Sequence, residues 1–279
     1  IAAEAALRGM VTAAAWSPFF IAFAIGQGFV GKQDSWTAIA LGGVTTTLFA
    51  AVSLPIFNRS FSFTQLRLTF SCLRPILFRL FIVLGVVLLS AFVFDFTALS
   101  AVVVMMPILV AVQFIRYPEQ IKLIIGETAT NMRTIADDIL IISMAMLIGY
   151  FATRTGAFAA LLSGLYDGTI PGWFALIATP FGMMLASIFG VHPVISSTVF
   201  LAVFTSGHAD VHPALLMQAH LIGWGAGTMS SVASLSVIMG ASLFRVRSRD
   251  LVLGVNLFAA FSYALVGGIA LSFINIMIF

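Results

Sequence analysis

Charged residues are scarce in this sequence. Only 8% of its 279 residues are Asp, Glu, Lys or Arg, whereas a soluble globular domain carries roughly 25%. This scarcity excludes the solvated surface of an ordinary soluble protein. Hydrophobic residues make up 61% of the chain, and its mean hydropathy is +1.13. Because long apolar stretches with few charges are typical of spanning helices, the sequence predicts an all-α polytopic membrane protein in contact with the lipid bilayer.

Cysteine and the common catalytic motifs are also lacking. The single cysteine, Cys72, excludes a disulfide within the chain. The sequence contains no His-Glu-x-x-His motif, no Gly-x-Ser-x-Gly motif and no glycine-rich phosphate loop. We therefore predict no enzyme, no metal site and no organic cofactor. The net charge of +3 comes from basic residues scattered singly, which favours an effect on membrane orientation over nucleic-acid binding.

Three apolar segments contain helix-breaking or hydroxyl-rich residues near their middle. They are Trp16-Ser17-Pro18, then Gly190 to Pro193 followed by Ser196-Ser197-Thr198, and Gly223 to Gly227 followed by Ser230-Ser231. Broken helices survive at membrane depth only inside protein or beside a cavity, because lipid cannot satisfy free backbone groups. Paired interruptions of this kind indicate the binding site of a transporter.

The distribution of basic residues suggests how the segments cross the membrane. Residues 58–77 mix arginine with apolar residues and are predicted to form a cytoplasmic interfacial linker. Residues 173–206 contain two arms, each shorter than the ~20 residues of a full span. We predict that they form a re-entrant hairpin, which enters and leaves from the outer face and satisfies the positive-inside rule. Residues 213–244 follow as a broken helix.

The chain also contains a faint internal repeat. When Trp16 is placed over Met229, a broken apolar helix, a charged turn and a further span coincide in both copies. The copies run in opposite directions in the predicted topology, which is typical of inverted repeats. Residues 1–57 then end the first repeat, and 78–279 form the second. Since the counterpart of His192-Pro193 would precede Ile1, we expect the chain to be N-terminally incomplete.

At these motifs the chain resembles the ion transporter superfamily, especially its divalent-anion/sodium symporters. The resemblance covers 1–57 and 78–279. In that family a hairpin with a Ser-Asn-Thr tip precedes a helix unwound at a Pro- or Ser-containing motif, and the pair recurs inverted. Here Val194 to Thr198 takes the place of the hairpin motif, and Ser17-Pro18 and Ser230-Ser231 take the places of the unwound helices. The resemblance implies elevator-like movement and a homodimer.

The chain departs from the family at one point, because Ser-Asn-Thr and Ser-Asn-Pro occur nowhere in it. The family's hairpin asparagine contributes to sodium binding, so either Na⁺ or H⁺ remains open as the coupling ion. His192 would titrate near physiological pH, and His220 is either a proton relay or a polar packing contact. The predicted substrate and ion site comprises Ser17, Pro18, His192, Pro193, Ser196, Ser197, Thr198, Ser230, Ser231 and Ser234.

We therefore expect a secondary active transporter in the bacterial inner membrane. Hydroxyls, freed amides and helix N-termini at the breaks would bind a small anion without a fixed positive charge, and the resemblance implies a carboxylate. Two alternatives remain: a cation/proton antiporter of the same fold, and a non-transporting membrane subunit of a larger complex.

Overall fold

In the computed structural model, residues 2–57, 62–155, 169–205 and 209–278 are described, and every named element among them is helical. The helices are α1 (Ala2–Thr12), α2 (Ile21–Val30), α3 (Ser35–Phe57), α4 (Phe63–Val93), α5 (Ala98–Arg116), α6 (Ile121–Arg154), α7 (Gly172–Ile188), α8 (Pro193–Thr205), α9 (Pro213–Ser230), α10 (Leu235–Phe244), α11 (Ser248–Leu253) and α12 (Val255–Ile278). Short 3-10 turns at Ala13–Ala15 and Pro118–Gln120 follow α1 and precede α6. The all-α prediction is confirmed.

Three helices are long and apolar enough to cross a membrane: Trp36–Ser53 in α3, Phe70–Val93 in α4 and Val255–Ile278, which is the whole of α12. Two bent helix pairs raise the number to as many as five. One of these pairs is α9 and α10, which are bent by 44° at the break between them. The chain is thus an all-helical protein with the composition and helix lengths of a polytopic membrane protein.

The predicted interfacial linker differs from the observed helix boundaries. Residues 58–61 lie outside the described residues, and from Phe63 the chain is a single helix, α4, that continues to Val93. Pro75 lies inside this helix, because its neighbours are strongly apolar and helix-forming. The end of the predicted linker is therefore the first part of a candidate span. Whether residues 63–69 lie on a membrane surface stays a prediction.

The chain divides into two compact units, 1–59 with 142–279, and 60–141. The second unit contains α4, which packs against α5. The first unit contains both broken helices and the predicted hairpin, so all of the predicted site residues belong to it. The predicted division at 57 and 77 follows the internal repeat and stays a prediction.

Within the first unit, two broken helices pack against each other with opposite directions. The first is α1, its 3-10 turn and α2, and the second is α9 with α10. Residue numbers fall along the second as they rise along the first: Val11 lies beside Gly225, and Gly26 lies beside Met217. Their breaks lie at 16–20 and 231–234.

The two broken helices also share their local organisation. The segment after each break is a ten-residue helix, α2 in one and α10 in the other. Each of these helices ends at a residue with positive φ, Gly31 at 81° and Arg245 at 53°. A turn and a further helix then follow, α3 in the first and α11 with α12 in the second. The order of the elements and the length of the helix after the break therefore agree between the two segments.

Helices α7 and α8 form a hairpin whose two ends lie together. Ile170, before α7, pairs with Ala209, after α8, and the rings of Phe174 and Phe204 are 6.5 Å apart. Helix α7 is 17 residues long, which corresponds to about 25 Å. It runs beside α9, since Pro180 lies near Gly223 and Ser230 donates to Met184 O. Measured along α9, the turn that follows α7 therefore lies at about the height of the break after Ser230, and not at the far end of α10.

One predicted interruption is wrong. Gly223 to Gly227 do not break the helix, because α9 is continuous from Pro213 to Ser230. The glycines instead allow close helix packing. A Cβ at Gly223 would lie 2.9 Å from Pro180 Cα, and one at Gly227 would lie 2.7 Å from Ser187 Oγ, both in α7. The missing side chains therefore serve the contact between α7 and α9.

Candidate functional site

The break in the first helix lies where the sequence predicts it. The backbone N–H groups of Trp16 and Ser17 both donate to Ala13 O, at 3.3 and 3.1 Å, and the helix restarts only at Ile21. Pro18 cannot donate a backbone hydrogen bond, and it is buried within this break. Ser17 is half-buried beside it. The break is held from outside, because the side-chain Nε2 of Gln218 in α9 donates to Ala15 O at 2.8 Å.

The turn of the α7–α8 hairpin is built from a left-handed glycine and a histidine cap. Val191 N donates to Ala186 O at 3.0 Å, and Gly190 N donates to Ser187 O at 3.1 Å, with Gly190 at φ 83°. This pattern is a Schellman motif, which ends α7 sharply. His192 then begins α8, since its Nδ1 accepts from Val194 N at 3.2 Å.

The same histidine–proline pair begins α9. His212 Nδ1 accepts from Ala214 N at 3.2 Å, and Pro213 occupies the first helical position. Pro193 has the corresponding position in α8, where a missing N–H costs nothing. The repetition shows that His192-Pro193 has a structural role as a helix start. A role in binding for this pair stays a prediction.

Trp224 joins the hairpin turn to the break in the first helix. Its ring centroid lies 6.2 Å from that of Phe20 at the break, 6.3 Å from that of His192 at the turn and 5.9 Å from that of His220 one turn earlier in α9. All three contacts are edge-on, with interplanar angles of 81° to 89°. Elements distant in sequence therefore meet around one indole, which is only 5% exposed.

The hydroxyls predicted in α8 face their own helix. Ser196 donates to Pro193 O at 3.2 Å, Ser197 donates to Val194 O at 3.0 Å, and Thr198 donates to Ile195 O at 2.9 Å. All three are buried. Because each O–H proton already serves a backbone carbonyl, these hydroxyls offer an anion no donor in this arrangement.

The serines around the second break have three different roles. Ser230 ends α9 and donates to Met184 O of α7 at 3.3 Å and to Gly227 O at 3.1 Å. Ser234 caps α10 by accepting from Val237 N at 3.3 Å, and it donates to Thr228 O at 2.6 Å. Ser231 lies in the break itself and is buried, at 6% exposure. Ser17 and Ser231 are thus the two predicted site hydroxyls for which no hydrogen bond is described.

The junction is the region around Trp224 where α9 meets the first break and the turn of the hairpin. Two polar side chains of α9 make contacts there that the sequence analysis did not predict. Gln218 and His220 are completely buried, and each reaches a backbone carbonyl of the first broken helix. His220 Nε2 lies 2.9 Å from Ala22 O. Within the described residues, Gln218 Oε1 and His220 Nδ1 have no hydrogen-bond partner. A Gln and a His two positions apart in an otherwise apolar segment are the sequence signal for these residues.

A buried arginine lies on the other side of the break, and the sequence analysis missed it. Arg8 in α1 is 6% exposed and donates through Nη1 to Asn256 Oδ1 at 2.8 Å. Asn256 in turn donates to Leu251 O at 3.0 Å. These bonds connect the segment before the first break to the start of α12. No group of three or more metal-ligating side chains occurs among the described residues.

No protein-family model, curated protein or solved structure matches this chain.

Proposed function

We propose that the chain is a secondary active transporter that moves a small solute by alternating access, driven by an ion gradient. The observation that supports it best is that two interruptions meet at one side chain. The turn of the hairpin and the break in the first helix both contact Trp224, and the turn lies level with the break after α9. Such a convergence has no use in a plain bundle of spans, and at membrane depth broken helices occur where they line a binding cavity.

The antiparallel course of the two broken helices supports an inverted repeat. Their breaks, their ten-residue second halves and their positive-φ ends occur in the same order. The turn of the hairpin reaches only as far as the break that follows α9. A hairpin that turns back at this point, without crossing the whole membrane, supports re-entrance. In this proposal the hairpin and the broken helices move together as the transport unit, in a homodimer of the bacterial inner membrane.

For the solute, we propose a small anion of the carboxylate type, bound at the second of the two breaks, 231–234. Ser17 and Ser231 lie in these breaks, and α2 and α10 begin directly after them. The N-terminus of each of these helices carries a partial positive charge. The hydroxyls of Ser196 to Thr198 are less suitable because they already donate to backbone carbonyls.

A second candidate, a cation/proton antiporter on the same architecture, is favoured by a separate observation. The buried atoms without partners in α9, Gln218 Oε1 and His220 Nδ1, are hydrogen-bond acceptors. Acceptors would suit a proton or a cation, whereas an anion needs donors. The non-transporting subunit predicted as a further alternative has no contact in its favour.

A thermal-shift screen of the purified protein tests the proposal. Dicarboxylates, tricarboxylates and inorganic oxyanions are each added with and without sodium. A ligand present at 100 times its Kd stabilises the folded state by about 2.7 kcal/mol, which raises the Tm by several degrees. Ser231→Ala should abolish the shift. Ser262→Ala is the matched control, since Ser262 lies in α12, outside both breaks, and donates to its own helix at Phe258 O.

The outcomes separate the candidates. An anion-dependent shift that Ser231→Ala abolishes and Ser262→Ala preserves supports the carboxylate site. A shift produced by sodium or by pH alone, with no anion effect, favours the antiporter. Stable co-purification with another protein and no solute flux in proteoliposomes would contradict both.

A further inference from the structure

His220 has an arrangement that a purely structural histidine does not need. Its ring is 0% exposed, and Nε2 lies 2.9 Å from Ala22 O. A carbonyl oxygen can only accept, so in the neutral ring Nε2 carries the proton. Nδ1 is therefore a lone-pair acceptor, and it has no partner in the described part of the chain. Buried polar atoms are nearly always paired, and each exception calls for an explanation.

The surroundings of His220 contain few other titratable groups. Helix α9 packs against α1, α2, α3, α7, α8, α10, α11 and α12. Helices α2, α3, α7, α8 and α10 contain no Asp, Glu, Lys, Arg or His. The remaining helices and the cap of α8 contain the titratable side chains Glu4, Arg8, His192, Arg249, Asp250 and Tyr263, of which Arg249 and Asp250 are exposed.

His220 also lies between the first broken helix and the turn of the hairpin. It touches α2 at Ala22, and Gly26 of the same helix allows the approach, because a Cβ there would lie 3.1 Å from His220 Cδ2. Its ring lies 5.9 Å from Trp224, which also contacts His192 at the turn of the hairpin. A change in the charge of His220 therefore acts on its contact with the first broken helix and, through Trp224, on the turn of the hairpin.

We propose that His220 Nδ1 is the binding site of the coupling proton. The proposal deepens the transporter function given above and rests on it. The step is a proton transfer alone. A proton from water on one side of the membrane forms a bond to the Nδ1 lone pair, which converts the imidazole to imidazolium. The same bond breaks when the proton is released to the other side, and nothing is oxidised or reduced.

Protonation changes which arrangement of the helices is stable. The neutral ring donates to Ala22 O and leaves one acceptor, Nδ1, without a partner among the described residues. The protonated ring has a second N–H donor for which the described residues provide no acceptor, and a buried charge without a partner is costly. An arrangement in which Nδ1 reaches water or a carbonyl then becomes the more stable one. Proton binding shifts the population toward that arrangement, which is the requirement for coupling.

Proton binding is measured directly by NMR of the full chain, labelled with ¹⁵N-histidine in lipid nanodiscs. The chain has only four histidines, so single substitutions assign every signal. We expect the His220 signals to change from the Nε2–H tautomer to imidazolium over the pH range in which transport varies. A His220 ring that stays neutral throughout that range would overturn the proposal.

The functional arm uses His220→Gln, because a glutamine amide retains a donor for Ala22 O but cannot titrate. Its matched control is His212→Asn, since asparagine is a favoured helix N-cap. Proteoliposomes with trapped pyranine report proton flux under a sodium gradient or a succinate gradient. We expect His220→Gln to lower proton flux by roughly 5- to 150-fold, the range typical of coupling between sites. His212→Asn should match the unsubstituted protein.

Succinate exchange without a gradient distinguishes the two levels of failure. Exchange by the unsubstituted protein, with proton flux unchanged in His220→Gln, would overturn the coupling site and leave the transporter intact. Neither exchange nor proton flux in the unsubstituted protein would refute the proposed function itself, and the coupling role with it. The NMR titration needs no variant at His220, so a folding defect in His220→Gln would not protect the proposal.

Discussion

Replacement of Gly42 by alanine should destabilise the protein at the first break. Helix α3 crosses the break here, and a Cβ at Gly42 would overlap Ala15 O and lie 2.7 Å from Ala15 C. Ordinary contact needs 3.4 Å or more, and backbone atoms cannot rotate away. Overpacking of this kind costs roughly 1–3 kcal/mol. The alanine returns roughly 0.5–1 kcal/mol of helix preference, so the net loss should be at most about 2.5 kcal/mol.

The neighbouring glycine provides a matched control. Gly43 lies in the same helix and has nothing within 4 Å of its Cβ position, so Gly43→Ala should be neutral or stabilising. With about 2–4 °C of Tm per kcal/mol for a large domain, Gly42→Ala should melt lower than Gly43→Ala, and lower than the unsubstituted protein by up to about 10 °C, in a detergent thermal-shift assay. It should also slow transport, because Ala15 O accepts from Gln218. Equal melting of the two variants would refute the close approach of α3 to the break.

Two further substitutions test the bond between Arg8 and Asn256 and the turn of the hairpin. Asn256→Ala removes the described acceptor of the buried Arg8 guanidinium and should lower the free energy of unfolding by about 1.5–3 kcal/mol. Its effect on the Tm should not add to that of Arg8→Met in the double variant. Strict additivity of the two effects would contradict the bond. Gly190→Ala places a side chain at φ 83° and should cost about 1–2 kcal/mol in the same assay. Gly85→Ala in α4, with open space at its Cβ, should cost nothing, and an equal loss in both variants would contradict strain at the hairpin turn.

The break positions were largely predictable because they depend on local backbone chemistry. Pro18 lacks a backbone donor, and Gly190 adopts a positive φ at the end of α7, so both breaks lie within a few residues of these positions. Gly223 to Gly227 misled the same reasoning. Glycine either interrupts a helix or lets a neighbour approach, and only the position of α7 decides that the second applies here.

The choice of site residues was less predictable because a hydroxyl serves many partners. The sequence places Ser196 to Thr198 and Ser231 in equivalent hydroxyl-rich motifs. In the fold, the former donate within their own helix, whereas Ser231 lies in a break without a described partner. Which carbonyl oxygen lies within hydrogen-bond distance of a hydroxyl depends on how neighbouring helices cross. That crossing cannot be predicted from the residue type.

The sequence by itself determined the helical class, the apolar character and the approximate places where helices stop. These follow from hydropathy and backbone chemistry, which act over a few neighbouring residues. The tertiary structure alone decided that the hairpin turn and the first break meet at Trp224. It also decided that one ring nitrogen of His220 binds Ala22 O and that the other has no partner among the described residues. Those contacts join residues far apart along the chain, and they exist only once the helices have packed.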